Sequence, residues 1–168
     1  IDLRVNMALS KKVITFIALA SLTTLQAIAI GQDTYLRPDA APAPMDNQPA
    51  IERTELGKKL FSDPRLSGSN WISCASCHNP GLGWSDGLPQ AFGHGMGTLK
   101  RNTPTIVNVA FNNAQTWDGR FSTLEQQALG PIVDKGEMNQ DLTELIKELS
   151  AIDGYRKEFD EAYPGEGI

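Results

Sequence analysis

The sequence predicts an all-α domain built from short helices and long loops, and three observations lead there. Apolar residues recur at helical spacing in several short segments, and no stretch alternates convincingly as a strand. Capping and stopping residues bracket those segments. Glycine and proline supply 15 and 10 of the 168 residues while Phe, Trp and Tyr supply only 6, 3 and 3, so large side chains for a core are scarce. With 40% hydrophobic and 21% charged residues the composition is that of a folded soluble protein, which excludes a disordered acidic tail and a multi-span membrane protein. A core this thin needs something else to fill it.

Residues 1–29 read as upstream sequence plus a secretory signal peptide. Met7 opens the signal, Lys11 and Lys12 form its basic start, Val13 to Ile30 its apolar run, and Ala27-Ile28-Ala29 its small-residue exit. A retained membrane anchor competes, because the run is near the lower length for spanning a bilayer. Ser21, Thr23, Thr24 and Gln26 interrupt it, so cleavage after Ala29, periplasmic release and no stable membrane insertion are expected. The formal charge of −5 grows more negative once this basic segment is removed, which argues against nucleic acid as a partner. Residues 30–50, with Pro38, Pro42, Pro44 and Pro49, read as an Ala/Pro-rich linker, and 51–168 as the folded unit.

The elements of that unit follow in order. Glu52 to Phe61 places Leu56, Leu60 and Phe61 on one helical face and stops at Asp63-Pro64. A turn or two of helix runs through Cys74 to His78 and ends at Asn79-Pro80. Thr103-Pro104 opens a further helix through Phe111, with proline at its first position. Ser122 and Glu125 have capping-box spacing at the head of a helix toward Leu129, stopped by Gly130-Pro131. Leu142, Leu145, Ile146 and Leu149 form an amphipathic helix, and Asp153 caps a last one carrying Tyr155, Phe159 and Tyr163.

The chemistry is concentrated in Cys74-Ala75-Ser76-Cys77-His78. The chain has only two cysteines and two histidines, and three of these four residues stand in one C-x-x-C-H string, the attachment motif of c-type haem. Two thiols one helical turn apart can add to the two vinyl groups on one haem edge, and the next residue then offers an imidazole to the iron. Export agrees with this, since bacteria make the attachment outside the cytoplasm. A redox dithiol would be expected near a βαβ pattern, and a zinc site needs a fourth ligand; neither is present. A covalently held haem is also the missing core, so the fold class sharpens to a c-type cytochrome fold packed around haem.

Between Pro80 and Gly97 lie glycines 81, 83, 87, 93, 95 and 97, a loop able to pass close to a flat cofactor. No apolar strand precedes it, and its spacing is not that of a phosphate-binding loop. It carries the second histidine, His94. For the remaining axial position of an iron held by His78 the chain offers His94, Met96 and Met138. Histidine would favour a low potential and a closed resting site, methionine a higher potential and simple electron transfer.

Five ordered strings make the chain similar to the bacterial dihaem cytochrome c peroxidases, the family that also contains the MauG-type enzymes. They are Leu56 to Ser67, Ile72 to His78, Arg101 to Thr105, Trp117 to Arg120 with Leu124 to Ala128, and Gly130 to Ile132 with Gly136 to Met138. The resemblance spans Ile51 to the end. It implies reduction of hydrogen peroxide to water, with electrons from a small cytochrome c or cupredoxin, at an amino-terminal haem fed by a second, carboxy-terminal haem. It further implies His78 as proximal and His94 as distal ligand of the iron, Glu137 with Gln127 as the distal-pocket pair, Trp117 between the two haems, and Asn102 as a calcium ligand. Homodimers are common in the family. Without the resemblance, Trp117 reads as a core aromatic, Asn102 as a helix cap, and Gln127 and Glu137 as solvated polar groups.

One departure matters. The family carries a second C-x-x-C-H, and this sequence has no third cysteine, so the expectation is the amino-terminal haem domain of a longer protein. Two other readings are a monohaem electron-transfer cytochrome and a MauG-like enzyme that oxidises residues of a partner protein. A second C-x-x-C-H beyond Ile168 separates an enzyme from a carrier.

Overall fold

In the computed structural model the described residues are 38–168, so the signal peptide and the first part of the linker lie outside them. Five α-helices are found among the described residues: α1 (Ile51–Ser62), α2 (Cys74–Cys77), α3 (Leu124–Val133), α4 (Leu142–Ser150) and α5 (Asp153–Ala162). Short 3₁₀ turns at Pro64–Leu66, Pro80–Leu82, His94–Met96 and Val109–Phe111 punctuate the loops. There is no strand among these residues, only isolated antiparallel bridges at Asn79/Ser85, Phe92/Thr98 and Gln115/Phe121. The all-α expectation holds. No helix among them is long and apolar enough to cross a membrane.

Residues Ala41–Ile168 cluster as one unit. Its core gathers Leu56, Leu66, Ile132, Met138, Leu145, Leu149, Tyr155 and Ala162, so helices α1, α3, α4 and α5 each contribute a face. Leu60, Ile72, Phe159 and Tyr163 pack around the edge, and Cys74 joins them. Only half of the α4 pattern is used: Leu145 and Leu149 are buried, while Leu142 and Ile146 are exposed.

One buried polar cluster ties the two ends of the unit together. Asp63 ends α1, and its carboxylate accepts from the Arg65 backbone N–H at 2.9 Å, capping the following 3₁₀ turn. The same carboxylate accepts from Arg65 Nη1 at 2.8 Å and from the Tyr155 hydroxyl, 92 residues away. Burial works to raise the Asp63 pKa, but the hydrogen bonds from Tyr155 and Arg65 outweigh it and hold the carboxyl below its usual range. Burial first, and then the hydrogen bond to Asp63, push the Tyr155 hydroxyl above its usual range. Tyr155→Phe should cost about 1–3 kcal/mol, because a buried carboxylate loses one of its donors. The linkage has a sign at each end of the pH scale. The depressed Asp63 pKa gives stability that is present above the ordinary carboxylate value and lost as pH falls through the folded one. The raised Tyr155 pKa gives stability that is lost as pH rises past about 10. Chemical denaturation of both proteins from pH 2 to 11 should show the wild-type curve falling at both ends, and Tyr155→Phe without the alkaline limb contributed by this hydroxyl.

Three local expectations are corrected. Residues 103–108 are not helical, and only Val109–Phe111 forms a 3₁₀ turn. The Thr103 hydroxyl donates to Asp86 Oδ2 at 2.9 Å and the Thr105 hydroxyl to the Gly83 carbonyl at 2.6 Å, which pins the segment extended against the glycine loop. Helix α3 is capped by Thr123, whose hydroxyl accepts from Gln126 N, one residue later than Ser122. It runs through Gly130-Pro131 to Val133. Two carbonyls of its last turn, on Pro131 and Ile132, accept from Met138 N at 3.1 Å and Gln140 N at 2.8 Å, bonds that offset the one a mid-helix proline forfeits. At α5 the cap position is Ile152, with Asp153 inside the helix and ion-paired to Arg156.

Candidate functional site

Cys74 to Cys77 form a single turn because the turn is capped at both ends. The Ser73 and Ser76 side chains make a reciprocal capping box at its start, and His78 N–H closes it on the Cys74 carbonyl at 2.8 Å. The two cysteines are free thiols. Burial raises the pKa of both, and the carboxylates of Asp86 and Glu137 add to the effect at Cys77.

The backbone sets the tautomer of His78. Its Nδ1 lies 3.2 Å from the Trp84 carbonyl oxygen, which can only accept, so Nδ1 carries the hydrogen and Nε2 keeps a free lone pair. A carbonyl behind a ligating imidazole is the usual way of orienting one toward a metal. Phe61 packs against both His78 and Trp84, at ring-centroid distances of 6.3 and 5.9 Å. These two aromatic neighbours escaped the sequence reading, although Phe61 stood in a recognised string.

The glycine loop is docked onto the loop that follows α3. His94 N–H donates to the Gly136 carbonyl at 2.9 Å, and Cys77 Sγ lies 3.7 Å from the Phe92 carbonyl. Gly93 is required by the closeness of this contact: a Cβ there would sit 2.0 Å from the Gly136 oxygen and 3.1 Å from Glu137 Cα. Gly68 meets the other side of the same loop, where a Cβ would fall 2.2 Å from the Asn139 oxygen. Gly93→Ala should therefore cost about 1–3 kcal/mol through overpacking. A thermal-melt series should show it falling well below Gly95→Ala, whose cost comes from a positive φ of 62° with open space around it.

The backbone that carries His94 thus lies against the backbone that carries Glu137. Glu137 is half-buried; burial and then the Asp134 charge raise its pKa, and Arg120 partly opposes them. Imidazole Nε2 of His94 is 3.2 Å from Asn139 Nδ2, and its Nδ1 is buried with no hydrogen-bond partner among the described residues. Of the other candidate axial ligands, Met138 is a core residue only 5% exposed, while Met96 is exposed.

The remaining expected residues are more dispersed. Gln127 is half-buried on α3. Trp117 is 69% exposed and so is no core aromatic. Its neighbour Asp118 is held at about 2, chiefly by the Thr116 hydroxyl and further by Arg120. Asn102 is exposed and caps no helix, and among the described residues no three His, Cys, Asp or Glu side chains converge as a metal site. Asn139, found here beside His94, carried no sequence signal of its own.

The donor set fits haem. Two free thiols on one turn, an adjacent imidazole with Nε2 free, and a second imidazole on the glycine loop match its two vinyls and two axial positions. Exposed Trp84, Phe92 and Met96 in the loops around them are apolar surface that a haem can cover.

This fold and donor set define a c-type cytochrome domain. The chain belongs to the di-haem cytochrome c peroxidase family, whose model matches residues 51–168. Among curated relatives, it is 45% identical over 141 residues to the methylamine utilization protein MauG of Methylorubrum extorquens, covering 84% of this chain and 40% of that protein. It is 46% identical over 121 residues to the cytochrome c551 peroxidase of Pseudomonas aeruginosa, covering 71% of this chain and 35% of that one. The crystal structure of a MauG-like protein associated with microbial copper homeostasis superposes with a TM-score of 0.71 at 32% identity, covering 80% of this chain and 41% of that one. The chain thus spans about two fifths or less of the length of these relatives. Membership implies covalently bound haem c.

Proposed function

We propose that this chain is the amino-terminal, peroxide-reacting haem domain of an exported cytochrome c peroxidase, which reduces hydrogen peroxide to water with electrons from a small cytochrome c or cupredoxin. The observation that carries the reading is the docking of His94, on its glycine-rich loop, against the loop that bears half-buried Glu137. Bound haem supplies an iron that takes up peroxide and passes it electrons. Everything else is supplied by side chains. Cys74 and Cys77 hold the haem edge, and His78, oriented by the Trp84 carbonyl, supplies Nε2 as proximal ligand. Cleavage of the O–O bond needs a base to take the proton from one peroxide oxygen and return it to the departing one. Glu137 is the base in this reading, because its raised pKa lets it hold that proton between the two transfers. The Gln127 amide orients the peroxide. His94 closes the site at rest and leaves it on activation, a movement that Gly93, Gly95 and Gly97 can absorb. Trp117 carries electrons from a second haem in a carboxy-terminal domain, and Asn102 contributes to a calcium site at the boundary with it.

A MauG-like activity, oxidation of residues in a partner protein, is the second reading. Near-equal identity to a MauG and to a c551 peroxidase favours keeping it. Steady-state peroxide turnover by the haem-loaded whole protein with reduced cytochrome c should be seen under the first reading. Oxidation of a partner-protein tryptophan without that turnover would replace it with the second.

A further inference from the structure

Asn139 stands outside the machinery described so far. It follows the core residue Met138 and takes a left-handed backbone, φ 50°, which asparagine tolerates better than most residues. Its backbone is fastened from several sides: Asn139 N–H donates to the Asp134 carbonyl at 2.8 Å, Gly68 N–H donates to the Met138 carbonyl at 2.9 Å, and Gly68 presses on the Asn139 carbonyl. This backbone is held on both sides, and the amide it carries stands at the surface of the unit. Its Nδ2 reaches His94 Nε2 at 3.2 Å, across 45 residues of sequence. An amide nitrogen only donates, so Nε2 accepts with its lone pair, and the ring hydrogen sits on Nδ1. That Nδ1 has no hydrogen-bond partner among the described residues.

We propose that Asn139 is a positioning residue that latches His94 by occupying the Nε2 lone pair, so that the amide and the haem iron compete for the same nitrogen. His94 then has two alternatives. It can be latched, with Nε2 satisfied and Nδ1 orphaned, or it can ligate the iron with the latch open. The inference rests on the reading of His94 as a distal ligand.

The test is electron paramagnetic resonance of the resting ferric, haem-loaded whole protein, comparing low-spin with high-spin signals of this haem. Asn139→Gly keeps the positive φ without strain and removes the amide. It should raise the low-spin to high-spin ratio about two- to tenfold, the effect of losing one net hydrogen bond, and slow azide binding in proportion. Asn139→Asp can still hold Nε2 by accepting from its N–H, and should leave the ratio at or below wild type. An unchanged or lowered ratio in Asn139→Gly, or an Asp variant that behaves like Gly, overturns the latch. His94→Gly separates the two levels. If it alters the signal while Asn139→Gly does not, only the latch fails; if it leaves the signal unchanged, the distal-ligand reading and the latch fail together.

Discussion

A chain with Cys74→Ser and Cys77→Ser is expected to carry no covalent haem and to lose much of its stability. A serine hydroxyl does not add to a vinyl group, so a haem-stained denaturing gel should go blank, whereas each single variant should retain one thioether and a weaker band. The stability loss follows from linkage, because a group bound only by the folded state stabilises it in proportion to its occupancy. A ligand at a hundred times its dissociation constant contributes about 2.7 kcal/mol, and losing that much would lower the Tm of a domain this size by roughly 10 °C. A tethered haem, whose effective concentration is higher, should contribute more. The loss should also be concentrated in the loops. The helical core of Leu56, Leu145, Leu149 and Tyr155 packs side chain against side chain, whereas Trp84, Phe92 and Met96 lie exposed in the loops around the thiols and imidazoles that would hold the haem. Hydrogen exchange should therefore rise most across 79–121 and least in α1, α4 and α5. His78→Ala is the informative contrast: its thioethers remain, so the gel band should persist while the haem absorption spectrum changes.

What could be read in the sequence divides along the range of the interactions involved. Helix α1 and the Cys74–Cys77 turn are settled within a few residues, by apolar spacing, by Asp63-Pro64 and by the Ser73/Ser76 box, and both appear where the pattern puts them. Asp63 was legible as a stop signal but not as the partner of Tyr155, which reaches it from 92 positions away. The segment after Thr103-Pro104 has the local marks of a helix start, yet the Thr103 hydroxyl finds Asp86, and the tertiary hydrogen bond prevails over a weak local preference. Pro131 misleads in the opposite direction: the carbonyls beyond it are satisfied by N–H groups of a loop that folds back, a compensation that helix-stop rules do not include. In the site, His78 and His94 were conspicuous because the chain has only two histidines. Asn139 was one asparagine among several, and only the approach of the glycine loop, at Gly93 and Gly68, gives it a role.

Glu137→Gln should separate catalysis from stability. Removing a positioned acid/base typically costs 10²–10⁴-fold in rate, and under the proposed function a loss in that range is expected in the reaction of the activated whole protein with peroxide, followed by stopped flow. The pH dependence gives the sign. If Glu137 must be ionised to take the first proton, the rate falls as pH drops through its folded pKa. That value lies above the usual carboxylate range because burial, and then Asp134, oppose the charge. The acid limb of the profile should thus sit higher than for an ordinary glutamate and vanish in Glu137→Gln. Stability should move the other way. A carboxyl whose pKa is raised on folding favours the folded state most when protonated, and its contribution declines as pH rises through the raised value. At neutral pH the charge therefore burdens the fold, and glutamine, neutral throughout, relieves it. Glu137→Gln should melt at or above the wild-type temperature at pH 7 and lose that advantage at pH 4. A variant that is slower and also less stable at pH 7 would mean that Glu137 holds the loop rather than the proton. Arg120→Gln offers a check on the same carboxyl: removing a nearby charge that lowers its pKa should shift the acid limb to higher pH without abolishing it.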